Sequence, residues 1–242
     1  MDRVSLICEL ILGAVNRTYP NRHVISVDEK TGIQAIERFS QPAPESKGGY
    51  KRIEYEYIRH GTTTLIAANN VENGQWINYH LGSTRDEADF AQFISKTVDG
   101  LPEMDQIVIL ADQLNIHLSE TLVRWVAQRE QYEYDLGIKG KKGILKSKGS
   151  RKQFLENPDH RIRFVFTPKH CSWLNPIENG FAKVQRHLIR NGSFSSVKEL
   201  ESKIAAYIDF YNLQLAKPLK WKFNGFNYDK KLFNLHCQKI AS

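Results

Sequence analysis

A mixed α/β sheet with helices on both faces is the fold that these 242 residues predict. Three features predict it. Three β-rich runs follow one another between positions 50 and 82, apolar strands and amphipathic helices then alternate from 84 to 168, and two further helices close the pattern. A chain of this length can bury one substantial core, so a single domain over 1–242 is expected.

The elements follow in order. SLICELILGAV places Val4, Ile7, Ile11, Ala14 and Val15 at helical spacing. Glu9 interrupts its apolar character and no small-residue cleavage site follows, so it reads as a helix and not a leader. HVISVDEKTG (23–32) is a β-branched run ending in adjacent acids and then Thr-Gly. YKRIEYEYIRHG (50–61), TTTLIAANNV (62–71) and GQWINYHLG (74–82) read as three strands, with Asn69, Asn70, Asn73 and Gly74 supplying the turn between the last two. TRDEADFAQFISKTV (84–98) has a Thr or Asp cap and a helical apolar stripe. QIVILAD (106–112) is a buried strand ending in an acid. SETLVRWVAQRE (119–130) is a helix capped by serine, and RIRFVFTP (161–168) is another buried strand. A helix opening at Asn175 runs to about Arg190, where Asn191-Gly192 ends it. The last helix is 196–213, and Trp221, Phe223, Phe226 and Tyr228 mark an aromatic tail laid over the body.

Composition narrows the function classes. Hydrophobic residues at 41% and charged residues at 25% are ordinary for a globular protein. Cys8, Cys171 and Cys237 form no CxxC pair and the eight histidines form no HxxxH or HExxH, which excludes a zinc ribbon or a disulfide framework. No apolar run is long enough to span a bilayer. A cytoplasmic protein, nucleoid-associated in a bacterial cell, is the expectation. The net charge is +7, and it is unevenly placed. Residues 131–160 form a basic insertion before the last strand, in which Lys139, Lys141, Lys142, Lys146, Lys148, Arg151 and Lys152 occur with no acid between 138 and 152. Such a run fits a polyanionic partner or a solvated surface.

Asp28 and Asp112 stand at the carboxyl ends of predicted strands, where ligands of open α/β sheets gather, and Glu178 follows a third strand at a helix start. Each has an ordinary reading: Asp28 ends a strand, Asp112 caps a turn, and Asn175-Pro176-Ile177-Glu178 is a capping box with proline at the first helical position. Together they offer hard oxygen ligands for two Mg²⁺ ions, the arrangement that metal-assisted phosphoryl transfer requires. For Glu178 the cap and the ligand readings can both hold.

VISVDEKTGIQAIER, VILADQLNIH, RIRFVFTPKHCSWLNPIE and LIRNGSFSSVKELESKI, in this order, closely resemble the catalytic domain of insertion-sequence transposases of the mariner superfamily, and more narrowly the insertion-sequence 630 branch. The resemblance extends from about Val24 to Trp221. It implies an RNase H-like fold with Asp28, Asp112 and Glu178 as the DDE catalytic triad and metal ligands. It also implies two Mg²⁺ or Mn²⁺ ions, cleavage at transposon ends and attack of the freed 3′-OH on a TA target. Double-stranded DNA is the implied partner, with a homodimer assembled on it. Gln113 stands where the family usually has Asn, Gly180 where an aromatic is common, and the basic insertion lengthens the spacing from Asp112 to Glu178. Gln113 and Gly180 bear on rate or helix stability and touch no ligand.

Smaller expectations attach to neighbouring residues. His117 matches the family's Asn-x-His ending and either contacts phosphate, braces the triad or bonds to backbone. Asn175 supports the helix entry. Trp173 stacks on a base or belongs to the core, and Lys169 and His170 contact the DNA backbone or are solvated loop charge. The lysine-rich segment 139–152 is expected to be a DNA clamp. Two other readings compete: a domesticated or inactivated DNA-binding remnant, and a hybrid-cleaving RNase H-like nuclease. The latter calls for a fourth acid, and Glu29 points to the opposite side of the strand from Asp28. No helix-turn-helix is visible before Asp28, so weak sequence preference is expected, with end recognition supplied by a separate DNA-binding polypeptide or an additional segment.

Overall fold

The structure, a computed structural model, describes residues 2–39 and 56–223. Five strands form one sheet: β1 (Arg22–Arg38), β2 (Tyr57–Asn70), β3 (Trp76–Gly82), β4 (Gln106–Ala111) and β5 (Ile162–Phe166), in the order β3-β2-β1-β4-β5. β1 pairs antiparallel with β2 and parallel with β4, β2 pairs antiparallel with β3, and β4 pairs parallel with β5. The helices are α1 (Arg3–Val15), α2 (Glu87–Asp99), α3 (Glu120–Arg129), α4 (Lys148–Leu155), α5 (Ile177–Val184) and α6 (Val197–Phe210).

Strand alternation decides what each face receives. Ile25 and Val27 of β1, with Ile66 and Ala68 of β2, pack beneath α2 and α3 through Phe90, Ile94, Leu122 and Val126. On the other face Leu65 and Ala67 meet Ile177 and Phe181 of α5 and Ile204 and Ile208 of α6. Beside them Val24, Val108 and Val165 cover Ile7 and Ile11 of α1. The predicted helix caps recur at Asp86, which forms a capping box with Asp89, and at Ser119, whose hydroxyl accepts from Leu122 N.

Three expectations need correction. The runs 50–61 and 62–71 are not two strands: Tyr57–Asn70 is continuous, and residues 50–55 lie outside the described part. Thr31-Gly32 does not end β1, and Asp28, expected at a strand's carboxyl end, therefore lies inside it. Gly32 adopts φ 65°, and a register shift between Lys30 and Ile33 absorbs the irregularity while pairing with β2 resumes. This is how a bulge carries a strand through a turn-like dipeptide. The basic insertion 131–160 is built into the body, with Leu145, Phe154 and Leu155 buried in the α2–α3 core and α4 lying within it. The aromatic tail is partly as expected: Trp221 and Phe223 pack against the α1 cluster, while Phe226 and Tyr228 lie outside the described residues.

Gly180 has a packing reason to lack a side chain. A Cβ there would lie 2.7 Å from Cζ2 of Trp76, which itself meets Phe181 edge-on. Gly180→Ala gains about 1 kcal/mol of helix propensity. Overpacking costs about 1–3 kcal/mol, and the ring is wedged against α5. A net loss of stability in urea unfolding is the expected outcome, and a gain would show that Trp76 has room to move.

Candidate active site

Asp28 and Asp112 follow the last paired positions of β1 and β4, Ser26 and Leu110, by two residues each. Parity therefore puts both carboxylates on the face that carries α1 and α5, Asp112 just past the end of β4 and Asp28 inside β1, where its parallel pairing with β4 stops. Asp28 is 8% exposed; its Oδ1 accepts from Glu29 N at 2.8 Å and its Oδ2 from Asn175 Nδ2 at 3.1 Å. Burial raises its carboxyl to about 7, with the charges of Asp112 and Glu29 adding to the effect. The Asp112 carboxyl goes the other way: burial opposes its ionisation, but the hydrogen bond and charge of His117 outweigh that and lower it.

His117 is wholly buried between two carboxylates. Its Nδ1 lies 2.8 Å from Asp112 Oδ1 and its Nε2 lies 2.7 Å from Glu29 Oε1, with the ring tilted on Phe90 at 4.2 Å between centroids. Both ring nitrogens face acceptors, so both donate and the ring is an imidazolium. Burial alone would lower its pKa; the two carboxylates reverse this and push it up to about 10. Glu29 does point to the opposite side of β1 from Asp28, as strand alternation requires. That geometry puts it behind His117, with its side chain 1% exposed. Sequence reasoning missed it because it sought a fourth member on the Asp28 face. An acid in a strand otherwise buried on both faces was the available signal.

The capping box is absent. Pro176 holds the cap position of α5 without a side-chain bond, and Asn175 is fully buried. Its Oδ1 accepts from Ser26 Oγ at 2.5 Å and its Nδ2 donates to Val27 O at 2.9 Å, besides Asp28. Bonds to the strand have taken the atoms that a cap would need. Glu178 starts α5 on the same face as the two aspartates and is partly exposed. Its carboxylate is not gathered with theirs: among the described residues no three His, Cys, Asp or Glu side chains form a group that could hold a metal ion. Asp28 and Asp112 fit a divalent cation by donor chemistry, being hard oxygens on a surface where Asp28 is poorly stabilised as an anion.

A cavity of about 520 Å³ opens beside Asp112, walled by Gln113, Lys148, Lys152, Lys169 and His170. Gln113 Nε2 donates to Thr167 O at 2.8 Å, tying the ends of β4 and β5 together. Lys148 Nζ donates to Gln113 O at 2.8 Å and Asn115 Oδ1 at 2.9 Å. Of the other clamp cations, Arg151 is turned inward to Leu118 O and Leu145 O, Lys139 pairs with Glu87 and Lys142 with Asp135. The clamp expectation is narrowed accordingly: Lys141, Lys146 and Lys152 have no ion pair among the described residues. Lys169 and His170 are exposed. Trp173 is neither buried nor free; it is 47% exposed and meets Phe223 edge-on at 5.3 Å.

Sheet order, strand directions and helix placement define an RNase H-like fold. The chain belongs to the DDE superfamily endonuclease family, whose model matches residues 23–201. Among solved structures it is similar to the Mos1 mariner paired end complex with Mn, at a TM-score of 0.53 and 15% identity over 86% of this chain and 54% of that one. It is also similar to a pre-cleavage Mos1 transpososome, at 0.53 and 14% over 87% and 57%. The catalytic domain of Mos1 mariner transposase matches at 0.50 and 14% over 87% and 84%. The chain thus spans about half the length of the transposase chains in those complexes, and at these identities the likeness is one of fold. No curated protein matches the sequence.

Proposed function

We propose that the chain is the catalytic domain of a DNA transposase that cleaves at transposon ends and joins the freed 3′-OH to target DNA, at TA. The observation that carries this reading is the pair Asp28 and Asp112 side by side where the parallel pairing of β1 with β4 stops, with a charged His117 and buried Glu29 behind Asp112. Asp28, Asp112 and Glu178 are the residues that would hold Mg²⁺ or Mn²⁺. When bound, two such ions activate the attacking water or 3′-hydroxyl and stabilise the leaving oxygen. His117 fixes the Asp112 carboxylate in one orientation, and Glu29 N–H with Asn175 does the same for Asp28. Lys148, Lys152 and Lys169 offer cations, and His170 a ring N–H, to phosphates in the adjoining cavity. The similar Mos1 structures are paired-end and pre-cleavage complexes, one of them with Mn. This supports duplex DNA, a divalent metal and a homodimer on DNA for this chain too.

One rival is a DNA-binding remnant without turnover, since among the described residues no three acids or histidines form a ready-made metal-holding group. A strand-transfer reaction separates the two. A duplex carrying a free 3′-OH transposon end should become covalently joined to a target plasmid in Mg²⁺ or Mn²⁺. Binding with neither nicking nor joining in either metal would favour the remnant.

A salt titration tests the clamp. Neutralising Lys141, Lys146 and Lys152 together should flatten the slope of log K against log salt by about 2 to 3 units, at about 0.9 per phosphate contact. An unchanged slope would leave them as solvated surface charge.

Among the described residues no helix is long and apolar enough to cross a membrane.

A further inference from the structure

Helix α5 begins without a cap of its own, because Pro176 in the cap position offers no side-chain bond. The N–H of Ile177, one residue on, is satisfied from the sheet: Ser26 Oγ accepts it at 2.8 Å. The same hydroxyl donates to Asn175 Oδ1 at 2.5 Å, and Asn175 Nδ2 donates in turn to Val27 O and Asp28 Oδ2. Ser26 and Asn175 are both wholly buried. One continuous chain of hydrogen bonds therefore runs from the carboxylate of Asp28 to the first turn of α5, which carries Glu178. A serine inside the strand run VISVD costs burial of a hydroxyl, and here both its donor and its acceptor capacity are used.

We propose that the Ser26–Asn175 pair is a positioning device, which sets the rotamer of Asp28 and the entry of α5 together and thereby fixes the approach of Glu178 to the two aspartates. This rests on the metal-dependent reading of the site. A cap supplied by Asn175 itself would hold the helix but leave it uncoupled from Asp28. A cap supplied by Ser26 moves with the strand that bears the ligand. Asn175 spans the two, and its amide cannot rotate without breaking bonds at both ends. Outer partners of this kind typically contribute about 10- to 100-fold to metal affinity or activity.

The test uses Mn²⁺ alone as the probe, with affinity measured by calorimetry well below the melting temperature on wild type, Ser26→Ala and Asp112→Asn. Ser26→Ala should weaken Mn²⁺ binding by about 10-fold or more, a change that a purely structural hydroxyl would not produce in protein that remains folded. In parallel, wild-type protein is titrated with Mg²⁺ and followed by NMR, a readout that needs no variant to fold. The Asn175 side-chain amide and the Ile177 backbone amide should shift together, with the same half-saturation as the Leu114 amide that donates to Asp112. The proposal is overturned if Ser26→Ala binds Mn²⁺ as wild type does, or if Leu114 shifts while Asn175 and Ile177 stay fixed. If Asp112→Asn also binds as wild type does, the metal reading fails with it, and the two failures are told apart by that variant.

Discussion

Asp112→Asn is expected to reduce divalent-dependent DNA cleavage to background while duplex binding stays within a few-fold of wild type. The carboxamide keeps an oxygen that can accept from His117 Nδ1 and Leu114 N, the two bonds the carboxylate makes now. What disappears is the negative charge that a hard cation needs. The cavity cations are untouched, since Lys148 is held by Gln113 O and Asn115 Oδ1 and not by Asp112. Glu178→Gln should have the same effect on cleavage. Nicking that persists in both variants, read on supercoiled plasmid, would remove the triad from the account.

The largest stability effect should follow His117→Leu. Leucine fills much of the space against Phe90, but it leaves the Glu29 carboxylate, at 1% side-chain exposure, without its partner. Breaking a buried ion pair by removing one member costs about 3–5 kcal/mol, whereas replacing both members by apolar residues can be nearly neutral. Urea unfolding should therefore show a large loss for His117→Leu and recovery of much of it in His117→Leu with Glu29→Leu. The double variant should remain poor in cleavage, because Asp112 has still lost its brace. A single variant within about 1 kcal/mol of wild type would show that burial of Glu29 does not depend on His117, against a buried ion pair between them.

The parts of the molecule legible in the sequence were those written in periodicity. The β4 and β5 runs, the Asp86 and Ser119 caps and the Asn-rich β2–β3 turn depend on neighbours in the chain, and the pattern carries them directly. Asp112 was readable as a strand-end acid for the same reason, whereas Asp28 lies inside β1, which runs on past it. What escaped depends on contacts between distant segments. Gly180 looks like a flaw in a helix until Trp76 is set against it. Asn175 fits a capping box by spacing, yet Ser26, 149 positions earlier, takes the atoms that the cap would use. Glu29 was assigned to the correct side of its strand, but nothing local told that His117 would arrive there, 88 positions later. Thr31-Gly32 misled because a bulge and a turn use the same dipeptide, and only the partner strand distinguishes them.

The most direct measurement is anomalous diffraction from crystals of this chain grown or soaked in Mn²⁺. An Mn²⁺ peak is expected between the carboxylates of Asp28 and Asp112, with Glu178 turned toward it, since carboxylate oxygens are the hard ligands such a cation takes. Crystals saturated with Mn²⁺ that show no peak between Asp28 and Asp112, or peaks only elsewhere on the surface, would contradict this expectation.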